Sequence, residues 1–325
     1  MKRKIKIINK IIPKLNIKKK YRKKNICNKI YNNIYKYVYN IYKLLLLFFL
    51  SLGLILIYNS SKVFQMTQKE LKMLNMYIIT HKDFNCGNLT NPAYKILCDD
   101  KSQLTKKYSL EIIETSKNNP LYFKKRGYSE GSKIYPIWKL YKEGNLQSKY
   151  IGIFHYRRIF PFRNDIPDLD NIFKNYDAIL KKRNIFASST RDQYRNCHII
   201  KFLDESFDII QDKYPEYYPY IKIFSTKNWG NYCNIFIMKQ EDFIKWGEFV
   251  FGVLFEFDRR HNLKSDKDIK NFLTEYRRKS KINFSIEGQS RLEGYLMERI
   301  SNIFYEKHFK KRYEIETLNI AKKTK

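Results

Sequence analysis

From residue 76 onward the sequence alternates between two apolar rhythms. Short runs of β-branched and aromatic residues occur in "MYIITHKDF" (76–84), "YIGIFH" (150–155), "DAILK" (177–181), "NIFASS" (184–189) and "YCNIFIM" (232–238). Between them lie stretches whose apolar residues recur at helical spacing. One covers 130–143, with Ile134, Ile137, Trp138 and Tyr141 on one stripe, and others cover 194–213 and 240–261. A last one covers 287–309, with Leu292, Leu296, Ile300, Ile303 and Phe304 in line, while "YPEYYPY" reads as turn-rich. Strands that alternate with helices predict an α/β fold with a largely parallel sheet. A length of 325 residues allows one large domain or two small ones, and 43% hydrophobic residues excludes a disordered chain.

The region before this pattern is of another kind. Residues 1–43 carry 15 Lys or Arg and no acid, and an uninterrupted apolar run from Leu44 to Tyr58 follows. The spacing predicts a basic tail (1–43), a single transmembrane signal-anchor (44–61) and a catalytic domain (62–325), with the cations on the cytoplasmic side. That makes a single-pass type II membrane protein, its domain in the ER or Golgi lumen if the cell is eukaryotic. Two rivals are a cleavable signal peptide, which lacks a small-residue cleavage site in "YNSSKVF", and a basic arm lying on anionic lipid. Sequons begin at Asn59, Asn88 and Asn283 and suit a lumenal domain.

Net charge is +32, which favours anionic partners, but nearly half of it precedes the apolar run and no nucleic-acid motif accompanies it. We therefore expect no nucleic-acid partner. Five cysteines without a C-x-x-C pair give neither a zinc site nor a disulfide framework, with a single bridge left open.

In open α/β sheets ligands bind beyond the carboxyl ends of the strands. Two strand ends here carry chemistry: Thr80-His81-Lys82, and His155-Tyr156-Arg157-Arg158 at the end of "YIGIFHYRRIF". If the strand runs through 158, His155 and Arg157 share one face, and Tyr156 and Arg158 the other. One guanidinium can then grip a phosphate while the second holds a carboxylate of the scaffold. Gly152 inside that strand lets a backbone or ligand approach closely.

"YIGIFHYRRIF" resembles the hallmark of the DUF4422 family of capsule and surface-polysaccharide proteins. Four further stretches match that family in the same order: "MYIITHKDF", "SEGSKIYPIWKLYKEG", "NIFIMKQEDFIKWGEFVFGVLFEFDRR" and "RLEGYLMERI". The resemblance covers about residues 76–309. The chain departs from it in "YFKKRGYSEG", where the family carries an Asp/Asn/Gly-rich turn, and at Pro136 inside a helix.

The resemblance implies a GT-A-like, Rossmann-like nucleotide-sugar transferase of hexosyltransferase type. A nucleotide sugar, foremost a UDP-sugar, is the implied donor, and a glycan, lipid-linked or protein hydroxyl the acceptor. Where GT-A enzymes end a strand with D-x-D and hold a divalent metal, this chain offers His155 to Arg158. Leaving-diphosphate charge must be met by a metal or by fixed cations. The expectation is therefore Arg157 or Arg158 with Lys82 in that role, and no metal, a divalent ion being the lesser alternative. Thr80 and His81 join the nucleotide site. His155 donates to a phosphate oxygen or orients the acceptor; Tyr156 stacks on a base or sugar ring; Asn234 bonds a sugar. Glu298 and Asp177 are the candidate bases for deprotonating the acceptor. Asp168 and Asp170 read as a turn or helix cap, Asp266 and Asp268 as a solvated stretch, Glu293 as a surface charge and Trp138 as core. His198, His261 and His308 receive no role. The alternative function is a catalytically silent glycan-binding or scaffolding member of the same fold.

Overall fold

A computed structural model describes residues 73–320 except 88, 117 and 118, together with residues 40, 41, 43 and 45 upstream. Of the expected anchor at 44–61 only residue 45 is described, and the sequons at Asn59 and Asn88 lie outside the described residues. Among the described residues no helix is long and apolar enough to cross a membrane. Asn283 is exposed, and the four described cysteines are unpaired thiols.

The chain opens with β1 (Leu74–Ile79), β2 (Tyr94–Cys98) and β3 (Glu111–Glu114), then α1 (Gly131–Lys142), β4 (Tyr150–His155) and β5 (Arg158–Ile159). Next come α2 (Leu169–Asn175), β6 (Ala178–Lys181), β7 (Asn184–Ile185), α3 (Thr190–Cys197), α4 (Ile200–Lys213) and α5 (Tyr218–Thr226). The last part holds β8 (Trp229–Gly230), β9 (Phe236–Lys239), α6 (Gln240–His261), α7 (Asp266–Ser280), α8 (Ile286–Gln289), α9 (Leu292–His308), β10 (Arg312–Ile315) and β11 (Leu318–Asn319).

The main sheet runs β10-β6-β9-β4-β1-β2-β3. Every neighbouring pair is parallel except those made by β9, which lies antiparallel to both β4 and β6. This is the largely parallel α/β sheet expected. β1 is buried along its whole length, because both faces are covered. On one face Tyr77, Ile79, Ile151 and Ile153 join α1, α4, α6 and α9 in one core. On the other, Met76, Ile78 and Phe154 pack against Leu169 and Phe173 of α2 and the loop residues Phe84 and Phe160.

Gly152 serves this packing and not a ligand: a β-carbon there would come 2.9 Å from both Met76 Cγ and Phe154 Cε2. Pro136 is accommodated inside α1, since the Ser132 carbonyl it would leave unpaired accepts instead from Asn119 Nδ2 at 2.8 Å. α6 occupies the stretch the periodicity predicts, 240–261, and ends on Asn262 at φ 53°. The expected helix over 194–213 is two helices, broken at His198 and Ile199, and "YPEYYPY" runs into α5. "NIFASS" shrinks to the two-residue strand β7.

Candidate active site

The chain order β1-β2-β3 runs one way across the sheet and β4 returns to the other side of β1, so a crevice opens between their carboxyl ends. A cavity of about 580 Å³ lies there. β1 contributes Thr80 and His81 just past its end, β2 contributes Asp99, and β4 contributes His155 and Arg157. The segment before α1 adds Lys125, Arg126, Ser129 and Glu130, and α1 itself adds Lys133; Arg291 closes the far side. Another cavity, of about 490 Å³ and lined by Gln147, Lys149 and Glu241 among others, sits at the opposite end of the strands, beside the first residue of β4.

β4 stops at His155 and does not continue to 158. Tyr156 and Arg157 form a tight turn that brings Arg158 back opposite His155. Tyr156 anchors the turn: its N–H donates to Ile79 O at 3.0 Å, and its ring is buried against His81, His155 and Phe84. A ring so enclosed braces the hairpin, which corrects the expectation that Tyr156 stacks on a base or sugar. Arg157 emerges at the tip into the cavity, while Arg158 turns away and donates to Cys233 Sγ at 2.9 Å. The expected pairing of His155 with Arg157 therefore arises, through a turn and not through strand alternation.

The cations of the cavity differ in how far they are committed. Lys133 is buried and paired with Asp99 at 2.8 Å. Arg126 is paired with Glu287 and also donates to Ser290 Oγ at 2.6 Å. Arg291 donates to Ser129 Oγ at 2.7 Å and stands 3.9 Å from Glu130. Among the described residues, Arg157 and Lys125 form no ion pair within 4 Å; each lies against an aromatic ring, Tyr156 and Tyr122, and Lys125 is near enough to help lower the Asp100 carboxyl. Lys82 likewise lies over Tyr156, outside the cavity lining, and the Thr80 hydroxyl holds the Lys82 turn. Burial, with Arg157 beside it, pushes the His155 imidazole down to about 3. Burial and Lys133 lower His81 as well. Both rings are neutral near pH 7, so the positive charge here belongs to lysine and arginine.

Next to the cavity lies a group of carboxylates. Glu130, buried at the start of α1, accepts from Asn234 Nδ2 at 3.1 Å. Burial, then the charge of Glu298, raises its pKa. Glu298 accepts from the Cys233 N–H at 3.2 Å and pairs with Arg299 at 3.0 Å. Cys233 and Asn234 are consecutive non-glycine residues at φ 77° and 46°, a strained entry to β9 of the kind found at functional sites. Asn234 spends its amide on Glu130 and accepts from Ser301 Oγ at 3.0 Å, so it positions a carboxylate and does not meet a sugar.

Asp177 is at the wrong end of the sheet. It precedes the first residue of β6, and its carboxylate accepts from Lys311 N at 2.8 Å, where β10 begins. It is a structural residue. Glu293 is no surface charge either: it is fully buried in α9, beside Lys124. Asp266 is not in a solvated stretch but opens α7, accepting from Arg126 N and Gly127 N at 3.1 and 2.9 Å and lining the cavity rim. Asp168 caps α2, and Trp138 is buried against Ile244 of α6, as their patterns indicate.

Among the described residues no three His, Cys, Asp or Glu side chains gather as a ligand set. The strand end expected to carry D-x-D carries a neutral imidazole and two guanidiniums instead.

A family model described as "Domain of unknown function (DUF4422)" matches residues 75–310. No curated protein matches in sequence. Among solved structures, the apo form of the bifunctional glycosyltransferase WbbM is similar in fold, with a TM-score of 0.57 at 19% identity over 77% of this chain. The match spans 46% of the WbbM chain.

Proposed function

The chain belongs to the DUF4422 family, whose description assigns no activity, and from its site we propose that it is a glycosyltransferase using a nucleotide-sugar donor. The observation that carries this reading is the cavity at the β1/β4 switch point, bordered by five lysine and arginine side chains, of which Arg157 and Lys125 form no ion pair within 4 Å among the described residues. A nucleoside diphosphate is the ligand this arrangement suits, because its leaving charge needs fixed donors in a site that partly excludes water. The fold likeness to a glycosyltransferase and the antiparallel β9 set within an otherwise parallel run of the main strands support a GT-A-like reading of the domain.

In this account the diphosphate lies against Arg157 and Lys125, with neutral His155 donating one hydrogen bond and Arg291 closing the site. The acceptor hydroxyl approaches from the Glu130 side. Arg158, turned toward Cys233, stands outside the donor contacts. The apolar run at 44–58 supports a further proposal, that the domain is tethered to a membrane.

The test is UDP release by the full-length chain from UDP-glucose, UDP-galactose and UDP-N-acetylglucosamine, with and without EDTA. Release that persists in EDTA and falls by roughly 10²-fold in Arg157→Ala, yet changes little in Arg158→Ala, is the expected result. Release abolished by EDTA overturns the cation-based mechanism. UDP or glycan binding without any release favours the silent binding protein.

A further inference from the structure

One chain of hydrogen bonds runs from the core to the cavity and ends on a carboxylate that the transfer reaction leaves without a stated task. Trp246 of α6, fully buried, donates its indole N–H to Ser301 Oγ at 3.0 Å. Ser301 of α9 donates to Asn234 Oδ1 at 3.0 Å, and Asn234 Nδ2 donates to Glu130 Oε1 at 3.1 Å. An indole is a donor only, so Ser301 accepts from it and has its own proton to give to Asn234 Oδ1, which turns the Asn234 Nδ2 toward Glu130. Ser301 and Asn234 are buried, and Asn234 is reached through a left-handed backbone pair that costs free energy to hold. A relay anchored in this way fixes Glu130 Oε1, while Oε2 stands 3.9 Å from the Arg291 guanidinium. Glu130 thus presents its second oxygen to the cavity it lines. Supported orientation of this sort is what a reacting group requires.

We propose that Glu130 is the general base of the transfer, with Trp246, Ser301 and Asn234 as its positioning residues. The inference rests on the glycosyltransferase reading. In the step, the acceptor O–H bond breaks and its proton passes to Glu130 Oε2. The acceptor oxygen forms a bond to C1 of the donor sugar as the C1–O bond to the diphosphate breaks, the electron pair leaving with the diphosphate. Direct displacement inverts the configuration at C1.

The charged and titratable groups that face Glu130 come from every element around it. Glu298 and Arg291 lie on the α9 side, Cys233 at the entry to β9, His155 and Arg157 on the β4 hairpin, and Lys133 on α1. Glu298 is the like charge among them, so neutralising it makes Glu130 lose its proton more readily. A base poised nearer neutrality than an ordinary carboxylate suits acceptor deprotonation at working pH.

The test uses the full-length chain, with UDP release from the three UDP-sugars above followed between pH 5 and 9, UDP binding measured by calorimetry, and product configuration read by NMR. Glu130→Gln, nearly isosteric, is expected to lower release by roughly 10²-fold or more with UDP affinity held within about twofold. Glu298→Gln is expected to move the acid limb of the rate profile to lower pH. Glu130→Gln with release within about threefold of the parent overturns the assignment, as does a product that retains the C1 configuration. An acid limb unmoved in Glu298→Gln overturns it too. If the parent binds UDP but Glu130→Gln loses that binding along with release, Glu130 is a donor-site residue and not the base. A parent chain that neither binds UDP nor releases it overturns the transferase reading itself, and the base assignment with it.

Discussion

Replacing Lys124 with methionine is expected to cost about 3–5 kcal/mol, the range for removing one partner of a buried ion pair. Lys124 lies directly before the cavity-lining segment, its side chain 4% exposed, bonded to Asp258 and 3.2 Å from Glu293 Oε1. Glu293 is inaccessible to solvent, and the Tyr128 hydroxyl donates to the same Asp258 oxygen at 2.6 Å. One ammonium therefore serves two carboxylates in a region with almost no water. Burial and the neighbouring Asp258 hold the Glu293 carboxyl well above its ordinary range, so it retains its proton near neutrality. Without the ammonium, Asp258 keeps only neutral donors, the Tyr128 hydroxyl and the protonated Glu293 carboxyl. For a domain of this size the loss corresponds to a fall of about 6–20 °C in Tm, at about 2–4 °C per kcal/mol. A carboxyl whose folded pKa is raised contributes stability that is fully present at low pH and is lost as pH rises from the ordinary carboxylate range through the raised value. Glu293→Gln is expected to abolish that decline, and in the Lys124→Met background to recover part of the loss. Thermal melts of the parent, both single variants and the double variant across pH 5–9 provide the assay. A Lys124→Met variant within about 1 kcal/mol of the parent refutes the reasoning, as does a Glu293→Gln variant that keeps the parent's decline.

Gly127→Ala puts a β-carbon 2.4 Å from Ile269 Cδ1 and 2.5 Å from Glu293 Oε2, and is expected to lower stability by about 1–3 kcal/mol in chemical denaturation. Asp177→Ala removes a bond to the Lys311 N–H, so it is expected to cost about 0.5–1.5 kcal/mol and leave UDP-sugar turnover unchanged. His155 is expected to stay neutral throughout pH 5–8, and NMR should show no titration of its ring in that range, since its folded pKa is about 3.

The strongly periodic segments were legible from the residues. β1, β4, α1 and α6 form where the apolar spacing puts them, because each buries a stripe or face that the sequence displays openly. α7 was not legible: in "DKDIKNFLTEYRRKS" only Ile269 and Leu273 are buried, so its single narrow contact was hidden among charges. β3, "EIIE", is an edge strand with an acid at each end. Glu293 misled because its charge outweighed its position, three residues before Leu296 on the stripe that faces the core. At the site, the local reading found His155 and Arg157, whose chemistry sits on one strand end. It missed Asp99, Lys133, Glu130 and Arg291, which come together only when three separate segments meet. Asp99 alone left a signal: it follows the last residue of β2, a strand whose "YKILC" pattern was overlooked. The separation of Arg157 from Arg158 depended on a two-residue turn, which an unbroken alternation pattern cannot disclose.

The cavity is expected to bind a nucleoside diphosphate through fixed cations. Calorimetric titration of the full-length chain with UDP in EDTA, for the parent and Arg157→Ala, measures this. Binding that persists in EDTA and weakens by roughly 10- to 100-fold in the variant is expected, the worth of a hydrogen bond to a charged group. No UDP binding by the parent, binding that requires an added divalent ion, or an affinity indifferent to Arg157 would contradict it.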